Sequence, residues 1–234
     1  MAEKINKNDF IEIEFTGRAD NNIFDTTDPK EAKEIGIENP EKIKPMIISV
    51  GNKMILEGLD DDLEGKEINK SYILKLQPEK AFGKRNPQLI KTHGLSSFKK
   101  NNINPYPGLT LQLDNSIARV LSVSGGRVTI DFNNPLAGKE IEYEYKITKK
   151  IIDDKEKVNA FQDFFFRQRF EFELKDKKII FKDEQIKPLL SMMAQKFKEI
   201  TGLEIEIPEI VINKDSKDKT PKKESKTKIN KDNI

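Results

Sequence analysis

A chain of 234 residues with 35% apolar and 35% charged side chains is long enough for a sizeable core and carries an extensively solvated surface. It has no cysteine and one histidine, which excludes disulfides, cysteine nucleophiles and thiolate metal sites, and argues against a zinc enzyme. The opening MAEKINKNDF has no apolar run and no stretch approaches a membrane span, so no secretory leader and no membrane partner are predicted, and the expected location is the cytoplasm. The formal net charge of +2 is unevenly placed. Residues 213–234 hold eight lysines against four acids, and what precedes them is close to neutral. That tail has too few apolar residues to offset its ordering entropy and is predicted to be disordered. A solubilising role is the plain reading. Contact with nucleic acid or a ribosome through phosphates rests on composition alone.

The first element is FIEIEFT, 10–16. Ile11, Ile13 and Phe15 share one face and Glu12 and Glu14 the other, the alternation of a half-buried strand. GRADNN, 17–22, predicts a turn before IFDTT. A polar stretch with a proline near each end, 28–45, predicts a loop or a short helix, and MIISV, 46–50, another strand. Between Met54 and Leu63, the spacing of Ile55, Leu56, Leu59 and Leu63 predicts a short helix interrupted by Gly58. Asp60, Asp61 and Asp62 point in three directions from such a helix, so they read as a solvated face and not as joint metal ligands. SYILKLQ, 71–77, and EYEYKI, 142–147, complete four or five mostly antiparallel strands around one helix.

Residues 84–131 are different. Short strand-like runs such as LTLQL, IARVLSVS and RVTIDF are joined by proline- and glycine-rich turns, which predicts a small hairpin module inserted into a surface loop. His93 lies there, where a lone histidine is expected to be structural or solvated. NNPLAGK, 133–139, then leads back into the alternating strand. From Asp153 onward, EKVNAFQDFFFRQRF predicts a helix, and FEFEL and KKIIF predict strands. Ile186, Leu189, Leu190, Met193, Phe197 and Ile200 mark a second helix that Gly202 ends, followed by LEIEIPEIVI. This reads as a small α+β domain with its own core. Phe164, Phe165 and Phe166 cannot all face inward from one helix, so one of them is expected to touch a partner or a neighbouring domain.

Taken singly, none of these runs names a function. Five in order do more. FIEIEFTG, IFDTT, VGNKMILEGLDDDLEGKEINKSY, PEKAFG and NPLAGKEIEYEYKI together resemble the FKBP family of peptidyl-prolyl isomerases across residues 5–84 and 132–150. The insert before the last strand is similar to the "insert-in-flap" domain of the SlyD-like branch, and the further C-terminal piece resembles that branch's long archaeal type. The resemblance implies an α+β fold with an antiparallel sheet wrapped on a short helix. It also implies a divided isomerase domain, 1–83 and 132–152, around a mostly β chaperone insert, 84–131. A C-terminal α+β domain, 153–212, and the tail, 213–234, follow. NNPLAGK would then have to return the last strand in register to a sheet already built.

The same resemblance implies a site. Phe15 stands where many relatives have tyrosine, and Phe24 and Asp25 match a Phe-Asp pair. Met46 and Ile48 match pocket-side aromatics. Ile55 and Leu56 match a Val-Ile pair, and Leu59 a floor residue that is often tryptophan. Phe82 matches the tyrosine of an A-Y-G run, and Tyr143 the aromatic of the last strand. Phe15 and Phe82 lack the hydroxyl of those tyrosines. The implied activity is rotation about X-Pro bonds in unfolded or partly folded chains, without metal, cofactor or covalent step. The implied partners are proline-containing clients, with a homodimer through 153–212 as a further expectation. The competing reading is a weakly catalytic or non-catalytic holdase or docking protein. A third, an RNA-associated protein, rests on the tail.

Overall fold

The computed structural model describes residues 3–113 and 116–206. Chain order is β1 (Phe10–Ala19), β2 (Asn22–Thr26), α1 (Pro29–Glu34), β3 (Met46–Ser49), α2 (Glu57–Asp62) and β4 (Ser71–Leu76). Then come β5 (Ile90–Gly94), α3 (Leu95–Lys100), β6 (Thr110–Leu113), β7 (Ser116–Ser124), β8 (Arg127–Asp131) and β9 (Ile141–Ile151). The chain continues with α4 (Asp154–Phe165), β10 (Phe172–Lys175), β11 (Lys178–Phe181), α5 (Lys187–Thr201) and β12 (Glu204–Ile205). The class is α+β, as expected. The predicted tail and the end of LEIEIPEIVI lie outside the described residues.

The first sheet runs β2-β1-β9-β4, and β3 pairs with β1 on the edge that β2 also uses. All its pairings are antiparallel. Its alternating apolar residues, among them Ile11, Ile13, Phe15, Tyr143, Tyr145 and Ile147, bury against α2 and its approach, where Met54, Leu59 and Leu63 close the core. β1 is longer than predicted. It continues through Gly17 to Ala19, and the turn shrinks to Asp20 and Asn21, both left-handed at φ 49° and 64°. That geometry matches the twist of a two-residue hairpin. Gly17 is therefore a strand residue. A Cβ on it would lie 2.8 Å from Phe24 Cζ and 2.8 Å from Tyr143 Cε1.

The helix starts later than the apolar spacing predicts, at Glu57, because Met54–Leu56 belong to a tight loop. Asp60 holds that loop. Its carboxylate accepts from the backbone N–H of Gly51 at 2.8 Å and of Lys53 at 2.7 Å. The expectation of a solvated triple-aspartate face is thus wrong for Asp60, which is buried and works as a staple between helix and loop. Its neighbours also have separate tasks. Asp62 accepts from the Tyr145 hydroxyl at 2.6 Å, and Asp61 pairs with Lys80 at 3.2 Å.

The second sheet, β5-β8-β7-β6, forms the insert with α3 over it, around Phe98, Ala118, Val120, Val128 and Ile130. Its two connections to the first sheet lie side by side. Asn86 N–H donates to Asn133 Oδ1 at 2.8 Å, and Asn133 Nδ2 returns a bond to Asn86 C=O at 3.0 Å. Arg85 pairs with Asp131, and Gly138 N–H donates to Gly83 C=O at 2.8 Å. NNPLAGK is thus one half of a cross-tied neck. Its Leu136 packs on the first core, which fixes where β9 starts.

The third sheet is β10-β11-β12, with β12 parallel to β11 and α4 and α5 packed over it. Asp153 caps α4, Pro188 sits in the first turn of α5, and Gly202 ends α5 at φ 71°. The core is not wholly its own. Phe10 of β1 and Ile151 of β9 are buried within it, and Ile47 of β3 packs against it. The phenylalanine cluster divides as its geometry demands. Phe165 and Phe166 join this core, and Phe164 packs on the first one. All three make intramolecular contacts, and Phe164 makes the contact to a neighbouring domain that was expected of one of them.

Candidate active site

Three aromatic rings define a cup on the inner face of the first sheet. Phe24 of β2 meets Phe82 edge-to-face at 5.6 Å and Tyr143 of β9 edge-to-face at 5.9 Å. Phe15 of β1 supports Tyr143 from beneath at 5.7 Å. Each ring depends on a local feature of the chain. Gly17 leaves room for Phe24 and Tyr143 to approach β1. Gly58 does the same below Phe82. A Cβ on Gly58 would lie 2.5 Å from the Lys80 carbonyl oxygen and 2.7 Å from a Leu76 methyl, so only glycine in α2 lets the 78–82 turn sit this close.

The nine apolar residues expected at the site fall in one cluster, graded by depth. Phe24, Met46, Ile55, Leu56 and Phe82 are half-buried and form its accessible wall. Phe15, Ile48, Leu59 and Tyr143 lie beneath. Ile48 and Leu59 are 0% and 1% exposed, so they shape the floor without presenting surface to a ligand. Asp25 is the one charged member. It pairs across to Gly17 in the hairpin, and its exposed side chain stands at the rim, lining a pocket with Phe15 and Met46. Desolvation by the surrounding packing raises its pKa above 3.8, against a weaker pull from the backbone N–H of Thr26. Burial, and secondarily the charge of Asp25, pushes the Tyr143 hydroxyl upward, so it stays protonated and available as a donor.

The structure adds what the motifs did not mark. β2 and β3 leave a gap along their shared edge of β1, beside Phe15. Thr27 satisfies the Phe15 backbone there, accepting from its N–H at 2.8 Å and donating to its C=O at 2.9 Å. A groove of about 500 Å³ opens at this gap, bounded on the cup side by Phe15, Asp25 and Met46 and on the far side by Phe164 and Arg167 at the end of α4. No local pattern signals this, because its two walls are more than a hundred residues apart in sequence. His93 is exposed on β5 of the insert, with its ring edge-on to Phe98 at 6.5 Å, and takes no part in the cup.

Comparison with known proteins agrees with this geometry. A family model described as "FKBP-type peptidyl-prolyl cis-trans isomerase" matches residues 1–99, and one described as "FKBP26, IF domain" matches residues 94–136. A short-type peptidyl-prolyl cis-trans isomerase of Methanocaldococcus jannaschii is 30% identical over 148 residues, which is 63% of this chain and 94% of that protein. An FKBP-type 16 kDa peptidyl-prolyl cis-trans isomerase of Escherichia coli is 25% identical over 151 residues, 63% of this chain and 94% of its own. The FKBP-type peptidyl-prolyl cis-trans isomerase SlyD of Haemophilus influenzae is 20% identical over 157 residues, 62% of this chain and 71% of its own. With the sheet wrapped on α2 and a second β module spliced in before β9, the chain belongs to the FKBP-type peptidyl-prolyl cis-trans isomerase family, in its SlyD-like, insert-bearing branch.

Proposed function

We propose that the cup catalyses rotation about X-Pro bonds in unfolded or partly folded polypeptides, and that the insert holds those chains while it does so. The observation that carries this reading is the placement of Phe24 between Phe82 and Tyr143 with Asp25 at the rim. Amide rotation crosses a barrier of about 18–20 kcal/mol because the planar bond is resonance-stabilised. No bond is made or broken, so the site needs only to bind the twisted amide better than either planar form. A proline ring fits an apolar aromatic cup. The twisted amide has less charge separation than the planar one and so suffers less from a dry surrounding. Asp25 acts on the carbonyl dipole through its field, and the buried Tyr143 ring backs Phe24.

The holding function rests on the insert's surface. Ile117 and Leu121 point outward from β7 at 68% and 38% exposure, and Tyr106 of the same insert is exposed as well. A second groove, of about 200 Å³, lies between α3 and the sheet, with Phe98, Ile103, Leu113 and Phe132 in its walls. Apolar surface of this kind, next to β6, which ends its sheet among the described residues, suits an extended chain. Capture there raises the local concentration of the client's prolines at the cup. The test is catalysis of a proline-limited refolding reaction by the full chain and by a variant in which 84–131 is replaced by a short turn. The reading requires fast refolding with the full chain and a large loss in the variant. Refolding at the uncatalysed rate with the full chain contradicts it.

A further inference from the structure

The groove between the cup and α4 has no task in that account. It begins at Asp25 and Met46, which the cup also uses, and ends at Arg167, so a chain whose proline occupies the cup can continue into it. Its charges are unevenly satisfied. Glu12 accepts from Thr148 Oγ1 at 2.7 Å and faces Lys149 at 3.5 Å. Glu156 faces the same lysine at 3.9 Å, and Asp163 takes both bonds of the Arg169 guanidinium, at 2.7 and 2.6 Å. Among the described residues, Lys42, Lys44 and Arg167 have no carboxylate within ion-pair distance. Arg167 is held in place nonetheless, with its guanidinium 5.4 Å from the centre of the Phe164 ring. The lining therefore carries three cations without a paired carboxylate, Lys42, Lys44 and Arg167, against Asp25 at the cup end and the Glu12–Glu156 pair that shares one lysine.

We propose that this groove is a secondary binding site for the segment of the client that flanks the proline, and that it selects segments carrying carboxylates. It rests on the reading that the cup holds the X-Pro bond. The C-terminal region is then part of the substrate-binding surface, since Phe164 and Arg167 supply its far wall. The acidic residues of the client sit away from Asp25, against Lys42, Lys44 and Arg167. Charge complementarity of this kind sorts partners and adds to the encounter rate, and salt weakens it.

The test uses the full chain and a set of X-Pro peptides. One is a bare tetrapeptide, and the others extend it by three glutamates or three lysines on either flank. Both kcat/KM and binding of fluorescein-labelled peptides, by anisotropy, are measured at low and high salt. On one flank the glutamate peptide should exceed its lysine twin by about fivefold at low salt, with the preference fading at high salt. The double variant Lys44→Glu, Arg167→Glu should reverse that preference. A misfolded protein cannot produce such a reversal. Equal handling of glutamate and lysine peptides on both flanks overturns the proposal, as does a preference that survives the double variant. Failure of the cup reading looks different: the bare tetrapeptide is then not turned over at all, while the anisotropy measurement still decides whether the groove discriminates by charge.

Discussion

Asp25 sets the pH response expected of the cup. Its pKa is raised by desolvation, so the ionised form gives way to the neutral acid at a pH above the ordinary 3.8. If the carboxylate's field aids rotation, kcat/KM on a tetrapeptide should fall on acidification with a midpoint above 3.8, and Asp25→Asn should flatten that limb and lower the plateau. The contribution of Asp25 to folding stability runs the other way. It is fully present below the unfolded pKa and lost as pH rises through the raised folded value. An acid limb identical in wild type and Asp25→Asn assigns the titration to another group. Gly17 gives a second prediction at this scale. Gly17→Ala places a methyl 2.8 Å from both Phe24 and Tyr143, so the rings must part. The expected outcome is a loss of about 1–3 kcal/mol in stability, with a larger proportional loss of tetrapeptide turnover. Turnover and melting temperature equal to wild type would mean that the rings move at no cost. The sequence made the members of the cup legible through the register of FTG, FDTT, AFG and EYEYKI. It did not reveal Gly17 as a spacer or Asp60 as a buried staple, because both roles depend on atoms supplied from elsewhere in the chain.

At the scale of elements, the neck decides whether the two modules can be separated. Its ties run between 83–86 and 131–138 and include Asn86–Asn133 and Gly83–Gly138. They fix where β9 begins, and β9 pairs with both β1 and β4. Replacing 84–131 by a short turn from Gly83 to Phe132 removes the Arg85 and Asn86 ties but keeps the Gly83–Gly138 bond and every cup residue. Turnover of a tetrapeptide should therefore persist, while catalysis of protein refolding should fall by about tenfold to a hundredfold as the local-concentration effect is lost. Equal loss on both substrates would mean that the insert only supports the isomerase sheet. Strands with strict alternation were readable, because a two-residue period with one buried face leaves little freedom of register. The start of α2 was not. Ile55 and Leu56 have helical spacing, yet Asp60 holds the preceding loop by Gly51 and Lys53 and delays the helix to Glu57.

At the scale of the whole molecule, the C-terminal region is fused to the first sheet by packing. Phe10 and Ile151 are 2% and 4% exposed inside its core, although both belong to strands of the first sheet. A chain ending at residue 152 uncovers both side chains. At roughly 1.5–3 kcal/mol per buried side chain of this size, the truncation should destabilise the isomerase sheet by about 3–6 kcal/mol as an upper bound. It should also promote self-association, seen as a lower melting temperature and a heavier sedimenting species. An unchanged melt would mean that the two regions fold independently. The sequence suggested a separate core here because α5 and its neighbouring strands carry convincing apolar faces. It could not show that Phe10, which reads as the first residue of a strand in one sheet, is shared with another layer.

The central claim is that the Phe24, Phe82 and Tyr143 cup with Asp25 at its rim is the isomerase centre. The most direct measurement is cis-trans exchange of a single X-Pro tetrapeptide, followed by NMR with catalytic amounts of wild type, Phe82→Ala and Asp25→Ala, each checked for an intact far-UV spectrum. The account predicts exchange far faster than the uncatalysed tens to hundreds of seconds with wild type, and a drop of at least about tenfold in both variants. Wild-type exchange rates in both folded variants would contradict it.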